Sequence, residues 1–161
     1  MTVELATSLP GVTIRRLVPA DAGVLLALVQ KNRAHLTRHG DFAELVDRDL
    51  DATTQHLETS PEHAFGVFTE GSLVGAVSLI PVEPPRYGCG FWLAERASGL
   101  GIASAAIRTL LDYARRELSA SDVFAGVTHG NVESVAVLER TGFRRIDHFE
   151  TYTRFHRRLA E

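Results

Sequence analysis

Apolar and polar positions alternate in Gly11–Pro19, where Val12, Ile14 and, less cleanly, Leu17 fall on one face. A period of two predicts a strand. The period then lengthens. Leu25, Leu28, Val29 and Leu36 keep helical spacing through Pro19–Leu36, and Asp21 stands where a cap is needed. Gly40 in "TRHGDF" breaks that pattern. Leu45, Val46, Leu50 and Leu57 then predict a second amphipathic helix over Ala43–Thr59. Two β-rich runs follow, flanking "TEGS", which has the composition of a hairpin turn. "EPPR" forbids helix and ends the second run. "YGCGFWLAE" predicts a further strand, and "GLGIASAAIRTLLDYARREL" the strongest helix, with Ile102, Ala106, Leu110, Tyr113 and Leu118 on one face. "SDVFAGVTH" reads as a strand and "NVESVAVLERTG" as a short helix ending at Gly142. "FRRIDHFETYTRFHRRL" closes the pattern as a pair of strands or one long one.

Helices that interrupt strands predict an α/β or α+β sheet with helices on its faces. The strand–helix–strand unit from Tyr87 to His129 should pair its strands in parallel. A length of 161 residues suits one domain over 1–161, with 1–10 as an N-terminal extension. The net charge of −3 gives no global field for nucleic acid or anionic lipid. The late arginines alternate with apolar residues, as on a half-exposed strand. No apolar run approaches the ~20 residues of a membrane span. "MTVELATSLPG" does not read as a signal peptide, so a cytoplasmic location is expected. Cys89 is the only cysteine, which excludes an internal disulfide, and a small buried strand residue is the expected role. The seven histidines show no metal-ligand spacing, so no metal is expected.

The candidate chemistry gathers at "RASGLGIAS", between a strand and a helix. A helix start leaves backbone N–H groups without acceptors and carries the positive end of the helix dipole. Gly99 and Gly101 leave those donors uncovered, which suits a phosphate or diphosphate. A Walker loop needs a lysine that is missing here. A dinucleotide fingerprint needs Gly or Ala where Ser104 stands. The pattern R/Q-x-x-G-x-G/A is filled by Arg96, Gly99 and Gly101.

Residues Glu95–Ala114 resemble the cofactor-binding block of the GNAT acetyltransferases. "GNVESVAVLERTGFRR" is similar to the family's later block N-x-x-S…L-E-[KR]-x-G-F, through Asn131, Ser134, Leu138, Glu139, Arg140, Gly142 and Phe143. "KNRAHL", "VEP" and "GFWL" look most like the RimJ/RimL branch. The resemblance covers most of the chain from Gly11 onward. It implies a GNAT fold: a mixed sheet of six to seven strands flanked by about four helices and splayed between two central parallel strands. It implies direct transfer of an acetyl group from acetyl-CoA to a primary amine, on a protein N-terminus or a small molecule such as an antibiotic. A homodimer is common in that branch. The alternative reading is a CoA- or acyl-CoA-binding module without turnover.

The resemblance assigns cofactor contacts to Trp92, Leu93 and Ala94 on the strand, to Arg96, Ser98, Gly99, Leu100, Gly101, Ile102, Ala103 and Ser104 on the loop and helix start, and to Asn131 and Ser134. The N–H near Leu93 becomes the donor to the acetyl oxygen, and Ser134 the hydroxyl facing the leaving sulfur; the tyrosine that many members carry one turn later is missing. Glu83, Glu150 and His148 are candidates for a base. An α-amine, with a pKa of ~7.7–8.0, needs little help from one. Acceptor recognition is expected between the first two helices. Asp41 suits a cationic amine there; His35 and His39 suit a phosphate or carboxylate. "HLTRHGDF" replaces a tryptophan-rich stretch common in the branch, which leaves the acceptor class open.

Overall fold

The computed structural model describes residues 4–159. Eight strands form one sheet in the order β1-β2-β3-β4-β5-β6-β8-β7. They are β1 (Glu4–Ala6), β2 (Val12–Arg16), β3 (His63–Thr69), β4 (Ser72–Glu83), β5 (Arg86–Leu93), β6 (Asp122–Thr128), β7 (Arg144–His148) and β8 (Tyr152–Arg158). The helices are α1 (Ala22–Lys31), α2 (Arg33–Thr37), α3 (Ala43–Asp47), α4 (Leu50–Thr59), α5 (Ile102–Leu118) and α6 (Val132–Arg140). β5 and β6 are the parallel pair, and the other neighbours run antiparallel.

The departures from sequence expectation have local causes. Glu4–Ala6, within the expected N-terminal extension, pairs with Arg15–Thr13 as an edge strand and raises the strand count to eight. The first helix divides at Asn32, whose side chain donates to the Leu28 carbonyl at 2.9 Å and accepts from the Glu95 N–H at 3.0 Å. An asparagine that bonds to backbone in this way competes with helix continuation. The second helix divides at Arg48, and Asp49 then caps α4 by accepting from the Ala52 N–H at 2.8 Å. Glu70 and Gly71 both take positive φ in the β3–β4 hairpin, which fits the twist of the flanking strands.

Two apolar clusters lie on opposite faces of the sheet. Ile102, Ala106, Ile107 and Leu110 of α5 and Leu138 of α6 pack with Ile14, Phe65, Val123 and Phe155. Leu25, Leu28 and Val29 of α1, Leu36 of α2 and Val46 of α3 pack with Leu17, Leu73 and Trp92. The alternation along β5 divides its side chains between them. Tyr87 and Cys89 join the α5 cluster, with Phe91 and Leu93 packed against it, whereas Trp92 joins the α1 cluster.

The sheet is split along its middle. β5 pairs with β6 from Arg86↔Asp122 to Gly88↔Phe124 and no further. β5 stays on β4 as far as Gly75↔Leu93, and β6 stays on β8 from Asp122↔Arg158 to Thr128↔Tyr152. Each half is therefore held, and the halves part at the carboxyl ends of the two parallel strands. Gly75 fixes the β5 side of this opening. A Cβ there would meet the Trp92 carbonyl oxygen at 2.3 Å and the Leu93 Cα at 3.0 Å. We expect Gly75→Ala to push the end of β5 away from β4 and to destabilise the fold by roughly 1–3 kcal/mol. Urea denaturation checks this: an unchanged midpoint would contradict the close approach.

Candidate active site

Beyond Gly88 the parting strands leave one edge of β5 without a strand partner among the described residues. The Ala94 N–H donates to the Val74 carbonyl at 2.7 Å, on the β4 side. Strand backbone groups alternate in direction, so the Phe91 and Leu93 N–H groups point into the opening. The amino ends of α5 and α6 face the same opening. Parallel strands bring this about, because each carboxyl end leads into the start of its own helix.

The loop before α5 is built to leave donors bare. Gly99 and Gly101 have φ of 74° and 79°, and Gly101 is the residue preceding the helix. A Cβ at Gly99 would meet nothing within 4 Å, so this glycine serves backbone shape and open approach rather than packing. From Gly99 to Ser104 the N–H groups find no acceptor among the described residues. The Ser104 hydroxyl is buried and also lacks a partner. A buried hydroxyl without a partner is costly unless water or a ligand satisfies it. The start of α6 is closed differently: Asn131 Oδ1 accepts from the Ser134 N–H at 3.2 Å. That cap places Ser134 on the first turn, half-buried, with its hydroxyl free of partners among the described residues.

Two cavities meet here. The outer cleft, about 660 Å³, runs along Gly101, Ile102 and Ser104 to Val132, Ala136 and Arg140. The inner cavity, about 100 Å³, is lined by His35, Arg38, His39, Asp41, Phe42, Phe91, Trp92, Asn131 and Ser134. Leu93, Ser98, Gly99, Ala103, Glu133 and Val137 line both, so the two form one channel. An extended phosphorylated chain fits the outer part: bare N–H groups and a helix dipole for its anion, and a free strand edge for amides further in. An activated acyl group at the inner end would then lie between the Leu93 N–H and the Ser134 hydroxyl.

The acceptor-side wall is tied down by polar contacts. Thr128, at the end of β6, donates to the Asp41 carboxylate. Gln30 and Arg33 each donate to the Val46 carbonyl at 2.8 Å and hold α3 to the preceding helices. Phe42 takes a left-handed φ of 63° at the rim, a conformation that costs a non-glycine residue on the order of 1 kcal/mol or more. Burial and the neighbouring Arg38 push the His35 imidazole down; Glu95, Glu133 and a contact with the Leu93 backbone oppose this but do not cancel it.

Residues 12–144 match the acetyltransferase (GNAT) domain family. The chain belongs to that family. It is 34% identical over 142 residues to the putative ribosomal N-acetyltransferase YdaF of Bacillus subtilis (strain 168), covering 82% of this chain and 77% of that protein. It is 31% identical over 144 residues to the probable N-acetyltransferase YjcK of the same organism, covering 82% and 80%. Among solved structures, RimL, a ribosomal L7/L12 α-N-protein acetyltransferase in complex with coenzyme A, superposes with a TM-score of 0.86 at 21% identity over 98% of each chain.

Ten of the residues expected to contact cofactor line the channel: Trp92, Leu93, Ser98, Gly99, Gly101, Ile102, Ala103, Ser104, Asn131 and Ser134. The acceptor candidates His35, His39 and Asp41 line its inner end. Other expected residues lie elsewhere. Ala94 is buried behind β5. Leu100 is exposed outside both cavities. Arg96 turns away from the loop, donates to the Leu73 carbonyl at 3.3 Å and lines a separate depression with Arg15 and Lys31. Glu83 pairs with Arg86 at the start of β5. A strand advances ~3.3 Å per residue, so Glu83 lies on the order of 20 Å from Leu93. Glu150 is exposed in the β7–β8 turn and lines neither cavity; His148, on β7, stacks on His129 instead. Arg38, Glu133 and Val137 were missed. Val137 lies three residues after Ser134 and four after Glu133 on α6, so helical spacing makes it legible from either.

Cys89 is buried in the α5 cluster, and burial alone pushes its thiol up to about 12. It is a packing residue, not a nucleophile. At about pH 8 iodoacetamide should leave the folded protein unlabelled and label it only in denaturant; rapid native labelling would contradict this.

Ala103 offers a strain-free test of the channel. It is the second residue of α5, where a carboxylate favours the helix. Ala103→Glu should fold normally and lose CoA binding by at least about tenfold, because charge and bulk enter the channel. Calorimetry with unchanged affinity would remove the channel assignment.

Proposed function

We propose that this GNAT enzyme transfers the acetyl group of acetyl-CoA directly to the α-amine of a peptide or protein. The observation that carries this reading is the single channel joining the bare N–H groups of Gly99–Ser104 to the free edge of β5 and to Ser134. Acetyl-CoA, when bound, supplies an activated thioester. The residues Gly99–Ser104 would hold its diphosphate. The Leu93 N–H would donate to the carbonyl oxygen as charge builds there, a contact of the kind worth ~3 kcal/mol of barrier. The Ser134 hydroxyl would hydrogen-bond to the departing sulfur, and the proton that the amine sheds on acylation would neutralise the thiolate, leaving free CoA and the acetylated amine.

Among the described residues, no carboxylate that lines the inner cavity is unengaged. Asp41 accepts from Thr128, and Glu133 pairs with Arg38 at 2.9 Å. That arrangement favours an acceptor needing little deprotonation. An α-amine has a pKa of ~7.7–8.0, against ~10.4 for a lysine side chain. The names of YdaF and RimL, which specify ribosomal substrates, support a protein acceptor. The family favours turnover over a carrier-binding module without it.

The test is a screen with acetyl-CoA against ribosomal protein L7/L12, peptides with free α-amines, lysine-only peptides and small amines, read by mass spectrometry. α-Amine acetylation supports the proposal; exclusive lysine or small-amine acetylation would replace its acceptor class. Ser134→Ala should lower kcat by about tenfold or more while CoA affinity holds. Wild-type kcat in that variant would remove the role assigned to Ser134.

A further inference from the structure

Arg38 makes contacts that neither the donor channel nor the transfer chemistry accounts for. Its guanidinium donates to Glu133 of α6 at 2.9 Å, across 95 residues of sequence. The same group bonds to the main-chain oxygen of His35 and lies 3.2 Å and 3.4 Å from the two ring nitrogens. Glu133 lines both the outer and the inner cavity, and Arg38 lines the inner one. The pair therefore stands in the wall where the two cavities meet, and it joins the end of α2 to the residue next to Ser134.

We propose that Arg38 is a positioning residue that clasps α2 to α6 through Glu133 over this junction, and that His35 seats it only while the imidazole is neutral. The catalytic consequence rests on the acetyl-transfer reading above; the clasp itself does not.

The geometry sets the proton requirement. The same guanidinium nitrogen is nearly equidistant from both ring nitrogens, so it lies over the imidazole, and the charge of the ring decides whether it can stay there. A protonated imidazole would repel Arg38. The groups facing His35 are Arg38 just past the end of its own helix, Glu95 from the loop after β5, and Glu133 from α6. His39 and Asp41 line the same cavity, and Asp41 is engaged by Thr128. Burial and Arg38 hold the imidazole below its ordinary range despite both glutamates. The clasp is thus closed at neutral pH and opens as pH falls through that lowered value. Arg38 and Glu133 are both well exposed, with side-chain accessibilities of 35% and 68%. Such a pair adds little to folding stability, so its loss should be felt in alignment of the site.

Histidine NMR of the free enzyme tests the clasp without any acceptor. The His35 resonance should titrate below an ordinary imidazole. Arg38→Gln should raise its midpoint, and Glu133→Gln should lower it further. Kinetics on an α-amine peptide then test the consequence. Arg38→Gln should reduce kcat about tenfold or more, with thermal stability and CoA affinity held. The double variant should be no worse than the poorer single one, and the swap R38E/E133R should recover part of the loss. An ordinary His35 midpoint that neither variant moves, or additive losses with no recovery in the swap, would overturn the clasp. Absence of acetyl transfer in the wild type would sink the acceptor reading instead, and the NMR result would still decide the clasp.

Discussion

Pairing between β5 and β6 ends after Gly88 and Phe124, and the site exists because it ends there. A sheet that stayed zipped would satisfy the Phe91 and Leu93 N–H groups internally and leave no opening beside them. Two antiparallel contacts hold the strands apart. β4 keeps β5 through the Gly75 close approach, and β8 keeps β6 along its full length. The opening is therefore part of the sheet's own hydrogen bonding and needs no flexible lid.

That one break organises the remaining chemistry. Both helices that follow the parallel strands start at the opening, but their first turns are finished differently. Gly101 leaves α5 without a side-chain cap, so the first-turn donors stay open, as the proposed diphosphate site requires. Asn131 caps α6, so its first turn is rigid and Ser134 is held in place. An uncapped helix start is a liability in an isolated fold. In the proposed reading it becomes the binding determinant, together with the orphaned Ser104 hydroxyl.

The local shape of the donor side was legible. The positive φ of Gly99 and Gly101 and the Asn131 cap depend on near neighbours in sequence, whereas the role proposed for Ser134 rests on the family resemblance. The acceptor side was only half legible. His35, His39 and Asp41 stood out by type, but Arg38 was passed over because its partner is 95 residues away. Arg96 fits the glycine-loop pattern, yet its direction is set by the carbonyl of Leu73 on another hairpin. Glu83 looked close to β5 in sequence and lies at its wrong end, because a strand converts sequence neighbours into a long separation. The division of the first helix turned on Asn32 meeting the backbone of Glu95, again a contact that no local window contains.

The central claim is that an acyl carrier lies in the gap between the halves of the sheet, its diphosphate at the start of α5 and its acyl end beside β5. Backbone amide exchange with and without CoA tests this most directly. Protection confined to Gly99–Ser104 and Phe91–Leu93 is the predicted result. Protection at the arginine-lined cleft of Arg108, Arg115 and Arg157 instead, or none at saturating CoA, would contradict the account.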